Sequence, residues 1–193
     1  MSARPLELPE VLLLEPRVLR DARGHFFESW HAERYAALGV GAAFVQDNVS
    51  HSARGVLRGL HLQHPDDQGK LITVLRGAIF DVAADVRRGS PTFGRWCAAT
   101  LTAESSQQLW IPPGFAHGFL VTGDEAVVMY KCTAPYRPSS ELTIAWDDPD
   151  LGVEWPLEAP PVLSPRDAEA PRLAEVPPGR LPVHAPVAAT VHA

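Results

Sequence analysis

Three side chains in this sequence point to chemistry before any fold is assigned: His61, Lys70 and His117. His61-Leu62-Gln63 falls in a run that reads as a strand, so residues 61 and 63 share one face, because side chains alternate with period two. A metal site on that face needs two imidazoles, and Gln63 is a poor neutral substitute for one of them. Lys70 brings a cation that repels a divalent ion. His64, three residues beyond His61, points to the opposite face of a regular strand and cannot complete a ligand set. Further on, Pro112-Pro113-Gly114-Phe115-Ala116-His117 supplies a second imidazole. What survives is an imidazole, an ammonium and a second imidazole, a set suited to moving a proton and steadying an anion. A lone strand histidine is usually structural and a lysine at a strand start is usually solvated. The Pro-Pro-Gly-Phe-Ala-His-Gly-Phe run tips the balance towards function.

These groups must be positioned by short strands. Runs rich in Val, Ile, Phe, Trp and Thr, bounded by Gly, Pro, Asp and Ser, predict strands over Val11–Leu19, Gly24–Trp30, Phe44–Ser52, Val56–Gln63, Leu71–Leu75 and Ala78–Val86. Others follow at Trp96–Leu101, Gln108–Ile111, His117–Thr122, Ala126–Thr133 and Leu142–Trp146. Only His31–Leu38 reads as a clear helix. The spacing is that of an all-β sandwich or jelly-roll barrel. Helices alternating with strands are absent, and no Gly-rich phosphate loop appears, which argues against a dinucleotide-binding domain. From about Asp167 onward Ala, Pro and Val dominate, so residues 1–170 read as one domain and Pro171–Ala193 as a tail that is either packed down or frayed, with frayed the expectation.

Bulk properties narrow the class. The 193 residues suit one domain with a real core, and 46% hydrophobic with 21% charged residues is an ordinary globular balance. Net charge is −6 with no basic block, which excludes a nucleic-acid backbone as partner but not a nucleotide held by a few arginines. No apolar run is long enough to span a membrane and no secretory signal is evident, so the expected location is the cytoplasm. Cys97 and Cys132 read as reduced core residues.

The two histidine segments resemble the paired motifs of the cupin superfamily. Its metal-binding members carry two histidines one residue apart, then a glutamate separated by six residues from a glycine; here Gln63 replaces the second histidine and Lys70, with six residues between it and Gly77, replaces the glutamate. At Gly55-Val56-Leu57-Arg58-Gly59-Leu60-His61-Leu62-Gln63 the chain resembles the dTDP-4-dehydrorhamnose 3,5-epimerase family. The similarity continues through Phe44-Val45-Gln46-Asp47-Asn48, Gln68-Gly69-Lys70-Leu71, Ser90-Pro91-Thr92-Phe93-Gly94 and Leu109-Trp110-Ile111-Pro112. It resumes at Tyr130-Lys131, Tyr136-Arg137-Pro138-Ser139-Ser140-Glu141, Glu154-Trp155-Pro156 and Leu163-Ser164-Pro165-Arg166-Asp167, covering about residues 10–170 in family order.

The resemblance implies an all-β cupin-type jelly-roll barrel with one or two short helices, a homodimer, and catalysis without metal or cofactor on a dTDP-4-keto-6-deoxyhexose. It implies that His61 is the base beside the ketone, oriented by Asp167, that Tyr130 returns a proton from the other face, and that Lys70 sits near the ketone oxygen. It carries over Arg58 and His117 as site residues, and Arg23, Glu28, Gln46, Asp47, Asn48, Glu141 and Arg166 as substrate-holding positions. Tyr136 stands near the sugar. As the donor, Tyr130 is expected to have its pKa lowered by an adjacent cation; the alternatives are a buried structural tyrosine at that position and a turn residue or helix cap at Asp167. Strict alternation places Arg58 opposite His61, so either Gly59 marks a bulge or Arg58 acts across a dimer interface. Inversion of a single carbon, a metal-dependent cupin oxygenase and a non-catalytic sugar-nucleotide binder are the competing readings.

Overall fold

The computed structural model describes residues 1–185 of the chain. Among the described residues there are eleven strands: β1 (Ser2–Pro5), β2 (Leu12–Glu15), β3 (Val18–Asp21), β4 (Gly24–Phe27), β5 (Gln46–Ala53), β6 (Leu57–Gln63), β7 (Lys70–Asp85), β8 (Trp96–Thr102), β9 (Gln108–Ile111), β10 (Phe115–Cys132) and β11 (Glu141–Thr143). Two short helices, α1 (Ala32–Ala36) and α2 (Pro165–Ala168), complete the regular structure with three turns of 3-10 helix.

Two long strands organise the barrel. β7 pairs with β9 along its first part, at Lys70–Thr73, and with β8 along its second, at Ala78–Ala84. β10 pairs with β6 near its start and with β5 over Glu125–Cys132, while running beside β7 for most of its length. Each long strand thus changes neighbours part-way, which wraps one continuous ladder into two faces around an apolar interior. Sequence pattern alone divides β7 and β10 into two strands each. The divisions coincide with register shifts at Val121/Ala126 and Val127/Val128, where Gly77 adopts φ +76° and passes so close to Glu125 that a Cβ would lie 1.7 Å from its carbonyl oxygen. Only glycine fits there.

Alternation sorts the side chains. Ile72, Val74, Ile79, Ala83, Leu109, Ile111, Phe119, Val121 and Val128 pack together inside the barrel. The opposite face of the β6–β7 region carries Leu60, Leu62, Val82, Ala84 and Val86. This face is covered by the chain after Pro171, whose Leu173, Val176 and Leu181 are all buried against it. The expectation of a frayed tail is therefore corrected for residues 171–185. Proline prevents regular structure there but not burial, and each of these side chains contributes on the order of 1.5–3 kcal/mol of apolar burial. Residues 186–193 of that tail lie outside the described part. A third cluster seats Tyr35 of α1 against Leu14, Leu71 and Trp110, with the Tyr35 hydroxyl donating to Gln108 Oε1 at 2.7 Å.

Strands β3 and β4 stand apart as a two-stranded ribbon. Leu19 and Phe26 on it are exposed, Phe26 at 69%.

Candidate active site

The interior face gathers the chemistry-bearing groups because paired residues on neighbouring strands project to one side. Cys132 is opposite both Lys70 and Gln46, and Tyr130 is opposite both Ile72 and Asn48. Lys70, Tyr130, Gln46 and Asn48 therefore share one face. His117 is opposite His61, which adds β6 to the same surface.

Arg58 joins them through a bulge. Phe119 pairs with Arg58 and His117 with His61, so β6 holds one more residue between its two partners than β10 does. The extra residue restores parity and turns Arg58 to His61's side. Gly59 makes the bulge possible: it has φ +130°, and a Cβ would come within 2.5 Å of the Gly118 Cα and 2.8 Å of the His117 carbonyl oxygen. Of the two explanations left open by the sequence, the bulge is present. Arg58 Nε donates to Ser52 Oγ at 3.0 Å.

A cavity of about 280 Å³ is lined by His61, Lys70, Tyr130, Gln46, Asn48, Tyr136 and Glu141, together with Leu62, Gln63 and Gln68. His61 Nε2 lies 2.6 Å from Asp167 Oδ1. Ser164 caps α2, accepting from the Asp167 amide at 3.2 Å, while its hydroxyl donates to Asp167 Oδ2 at 2.9 Å. Asp167 is thus both a helix-turn residue and the partner of His61. Burial acts to raise its pKa, but the bonds from His61, Ser164 and the Gly59 backbone outweigh this and hold it below the usual carboxylate value.

Lys70 is held in a desolvated position that lowers its pKa, against the opposing pull of Cys132, Asp81 and Glu141. Its Nζ contacts the His61 carbonyl oxygen at 3.4 Å. Behind it, His117 Nε2 lies 2.7 Å from Asp81 Oδ1, and burial above all keeps this imidazole's pKa low. Burial likewise raises the Tyr130 pKa; the Arg58 charge pulls the other way and does not prevail. The expected lowering of Tyr130 is corrected accordingly, and its phenol keeps its proton at neutral pH. At the mouth, the Tyr136 hydroxyl donates to Glu141 Oε2 at 2.6 Å, the Tyr136 amide donates to Gln46 Oε1 at 2.7 Å, and Arg166 pairs with Glu141.

Three expected residues are not brought here. Asp47 lies between Gln46 and Asn48, so alternation turns it outward, where it pairs with Lys131 Nζ at 2.8 Å; its assignment to the site is corrected. Arg23, in the turn of the β3–β4 ribbon, pairs with Asp21, and Glu28, just after β4, pairs with Arg34; neither lines this cavity. Conversely, Asp81, Ser164 and Gln63 were not foreseen as supports. A buried aspartate amid Phe80-Asp81-Val82-Ala83 was the available signal for the first, and a serine just before Pro165 was the signal for the second.

The donor set does not suit a divalent metal. The His61 and His117 Nε2 atoms face carboxylates, Lys70 adds positive charge, and both Gln63 amide hydrogens are engaged by carbonyl oxygens of Asp66 and Pro135. The arrangement defines a cupin-type jelly-roll barrel whose central site is built for acid–base chemistry.

Comparison with known proteins agrees. A family described as dTDP-4-dehydrorhamnose 3,5-epimerase matches residues 5–175. A relative of that name from Pseudomonas aeruginosa is 50% identical over 176 residues, 91% of this chain and 97% of its own length. Another from Neisseria gonorrhoeae is 52% identical over 160 residues, 83% of this chain; the chain spans about half (49%) of that relative's length. The crystal structure of dTDP-6-deoxy-D-glucose-3,5-epimerase from Legionella pneumophila, in complex with dTDP-4-keto-L-rhamnose, superposes with a TM-score of 0.93 at 47% identity, covering 95% of this chain and 98% of that one. The chain belongs to the dTDP-4-dehydrorhamnose 3,5-epimerase family.

Proposed function

We propose that this protein inverts C3 and C5 of dTDP-4-dehydro-6-deoxy-D-glucose, giving dTDP-4-dehydro-L-rhamnose, in the cytoplasm and without metal or redox cofactor. The observation that carries the reading is the Asp167-backed imidazole of His61 meeting Lys70 and Tyr130 in one cavity.

Both carbons flank the C4 ketone, so a proton lost from either leaves the same kind of enolate. His61 takes the proton on the ring nitrogen not engaged by Asp167. The C–H electrons move into the carbon–carbon bond, and the carbonyl electrons move to the C4 oxygen. Asp167 stabilises the imidazolium that results. Lys70, desolvated and in no ion pair among the described residues, gains an anionic partner as the oxyanion develops, an interaction stronger in the transition state than before it. Tyr130, with its raised pKa, is a proton-loaded donor to the opposite face, and its protonation of the carbon completes the inversion. His117 and Asp81 support the floor beneath Lys70. The first inversion leaves His61 protonated and Tyr130 as a phenolate, so the second needs a turn of the ring and the return of both groups, by proton exchange with solvent, to their starting states.

Gln46, Asn48, Tyr136, Glu141 and Arg166 hold the substrate at the mouth, with Arg58 beside Tyr130. Arg23 and Glu28 serve the cavity of a second protomer in a homodimer. The exposed Phe26 and Leu19 on the same ribbon support this, since nothing among the described residues of the protomer covers them.

The test is His61→Asn, measured for nucleotide affinity and turnover separately. The expected result is retained dTDP affinity with turnover lowered at least about 100-fold, the scale of lost general-base catalysis. Unchanged turnover removes His61 as the base.

A further inference from the structure

Gln63 stands in the cavity wall two residues from His61, where a metal-binding relative of this fold would place a ligand. Its side chain is buried, with the residue only 4% exposed. Nε2 donates to the Asp66 carbonyl oxygen at 2.6 Å and to the Pro135 carbonyl oxygen at 3.1 Å. Oε1 accepts from the Arg137 amide at 2.7 Å. Both amide hydrogens and one lone pair are therefore committed within the protein, and Gln63 has no donor left for a substrate.

The three partners are informative. Asp66 belongs to the segment between β6 and β7. Pro135 and Arg137 belong to the segment after β10, and they flank Tyr136, which lines the mouth and bonds Gln46 and Glu141. One buried amide thus grips the backbone on both sides of Tyr136 and ties it to the neighbouring loop. The same two segments are joined again by Gln68 Nε2 to the Ala134 carbonyl oxygen at 2.6 Å and by Arg137 to Asp66 at 3.0 Å. These outer links are more exposed, so the Gln63 amide is the dry centre of the junction.

We propose that Gln63 is a positioning residue for substrate capture: it fixes the peptide of Tyr136, and through it the Tyr136–Glu141–Arg166 rim, without entering the proton-transfer chemistry. The position where related barrels hold a metal here holds a loop clamp. The inference rests on the epimerase reading of the cavity.

Gln63→Met preserves length and volume while deleting all three bonds. Gln63→Glu preserves the acceptor for Arg137 but removes both donors and places a carboxylate against two carbonyl oxygens. Steady-state epimerisation of dTDP-4-dehydro-6-deoxy-D-glucose is measured for both, with the wild-type chain in parallel and folding checked by thermal melting. The expected result is a KM raised about tenfold or more, the scale of losing a buried hydrogen-bonded junction, with kcat within about threefold of wild type in whichever variant folds. A fall in kcat at unchanged KM overturns the proposal and assigns Gln63 to the chemistry of His61. Unchanged kinetics in either folded variant also overturns it, as does failure of both variants to fold, since Gln63 is then a stability element. A wild-type chain that turns over no such substrate instead refutes the epimerase reading itself.

Discussion

Replacing Asp167 by Asn removes one charge while preserving shape, and the structure sets the size of the effect. The carboxylate lies 2.6 Å from His61 Nε2 and is itself only 3% exposed. When His61 becomes an imidazolium, the two charge centres sit about 4 Å apart; at an effective dielectric near 20 that attraction is about 4 kcal/mol. The His61 side chain is 30% exposed, so water screens part of it, leaving about 2–4 kcal/mol. At 1.36 kcal/mol per decade, kcat falls roughly 30- to 1,000-fold. KM stays within about twofold, because Asp167 does not line the cavity. Ser164 can reverse its hydroxyl to meet either end of the new amide, so the capped turn persists and the fold is retained. The assay is the initial rate of epimerisation at saturating substrate, followed by proton NMR, with thermal melting as the folding control. A well-folded Asp167→Asn protein with kcat within threefold of wild type refutes the role assigned to the pair, and so does a change confined to KM.

Lys70→Met abolishes at least about 99% of turnover, on the scale of a lost oxyanion-stabilising group, yet leaves the melting temperature equal or higher, because a desolvated cation is removed from the cavity wall. The sign is fixed by the lowered pKa: the cost is full below the folded-state value and gone above the unfolded value of about 10.4, so the melting difference narrows as pH rises. At the far end of β7, burial would raise the Asp85 pKa, but bonds from Arg87, Ser90 and Thr92 bring it down to about 2. A depressed carboxylate contributes stability above its unfolded pKa and loses it as pH falls through the folded value. Wild-type stability therefore drops by about 2 kcal/mol between roughly pH 4 and pH 2, and urea titrations of Asp85→Asn show a lower starting stability with that drop flattened.

The barrel was legible from the sequence because period-two alternation and turn residues recur along it, and the interior set of Gln46, Asn48, Lys70 and Tyr130 obeys the same alternation. Asp47 was misplaced by following a motif string past the alternation that contradicts it. The bulge at Gly59 could be suspected from Arg58 and His61 standing three apart, since a regular strand cannot aim both inward. The His61–Asp167 pair was legible only through the family resemblance: nothing local to Asp167 says that it will meet a histidine 106 residues away. The tail was misread because proline content reports on regular structure, whereas Leu173, Val176 and Leu181 needed only an apolar face to cover. Tyr130 was misjudged for a related reason: a neighbouring cation is visible in sequence, but the burial that outweighs it is not.

The most direct test of the account is to run the reaction in heavy water and locate deuterium in the product by NMR. Proton removal by His61 and return by Tyr130 at both positions beside the ketone require one deuterium at C3 and one at C5, with both centres inverted. Product labelled at one carbon alone, or inverted product carrying no deuterium, contradicts it.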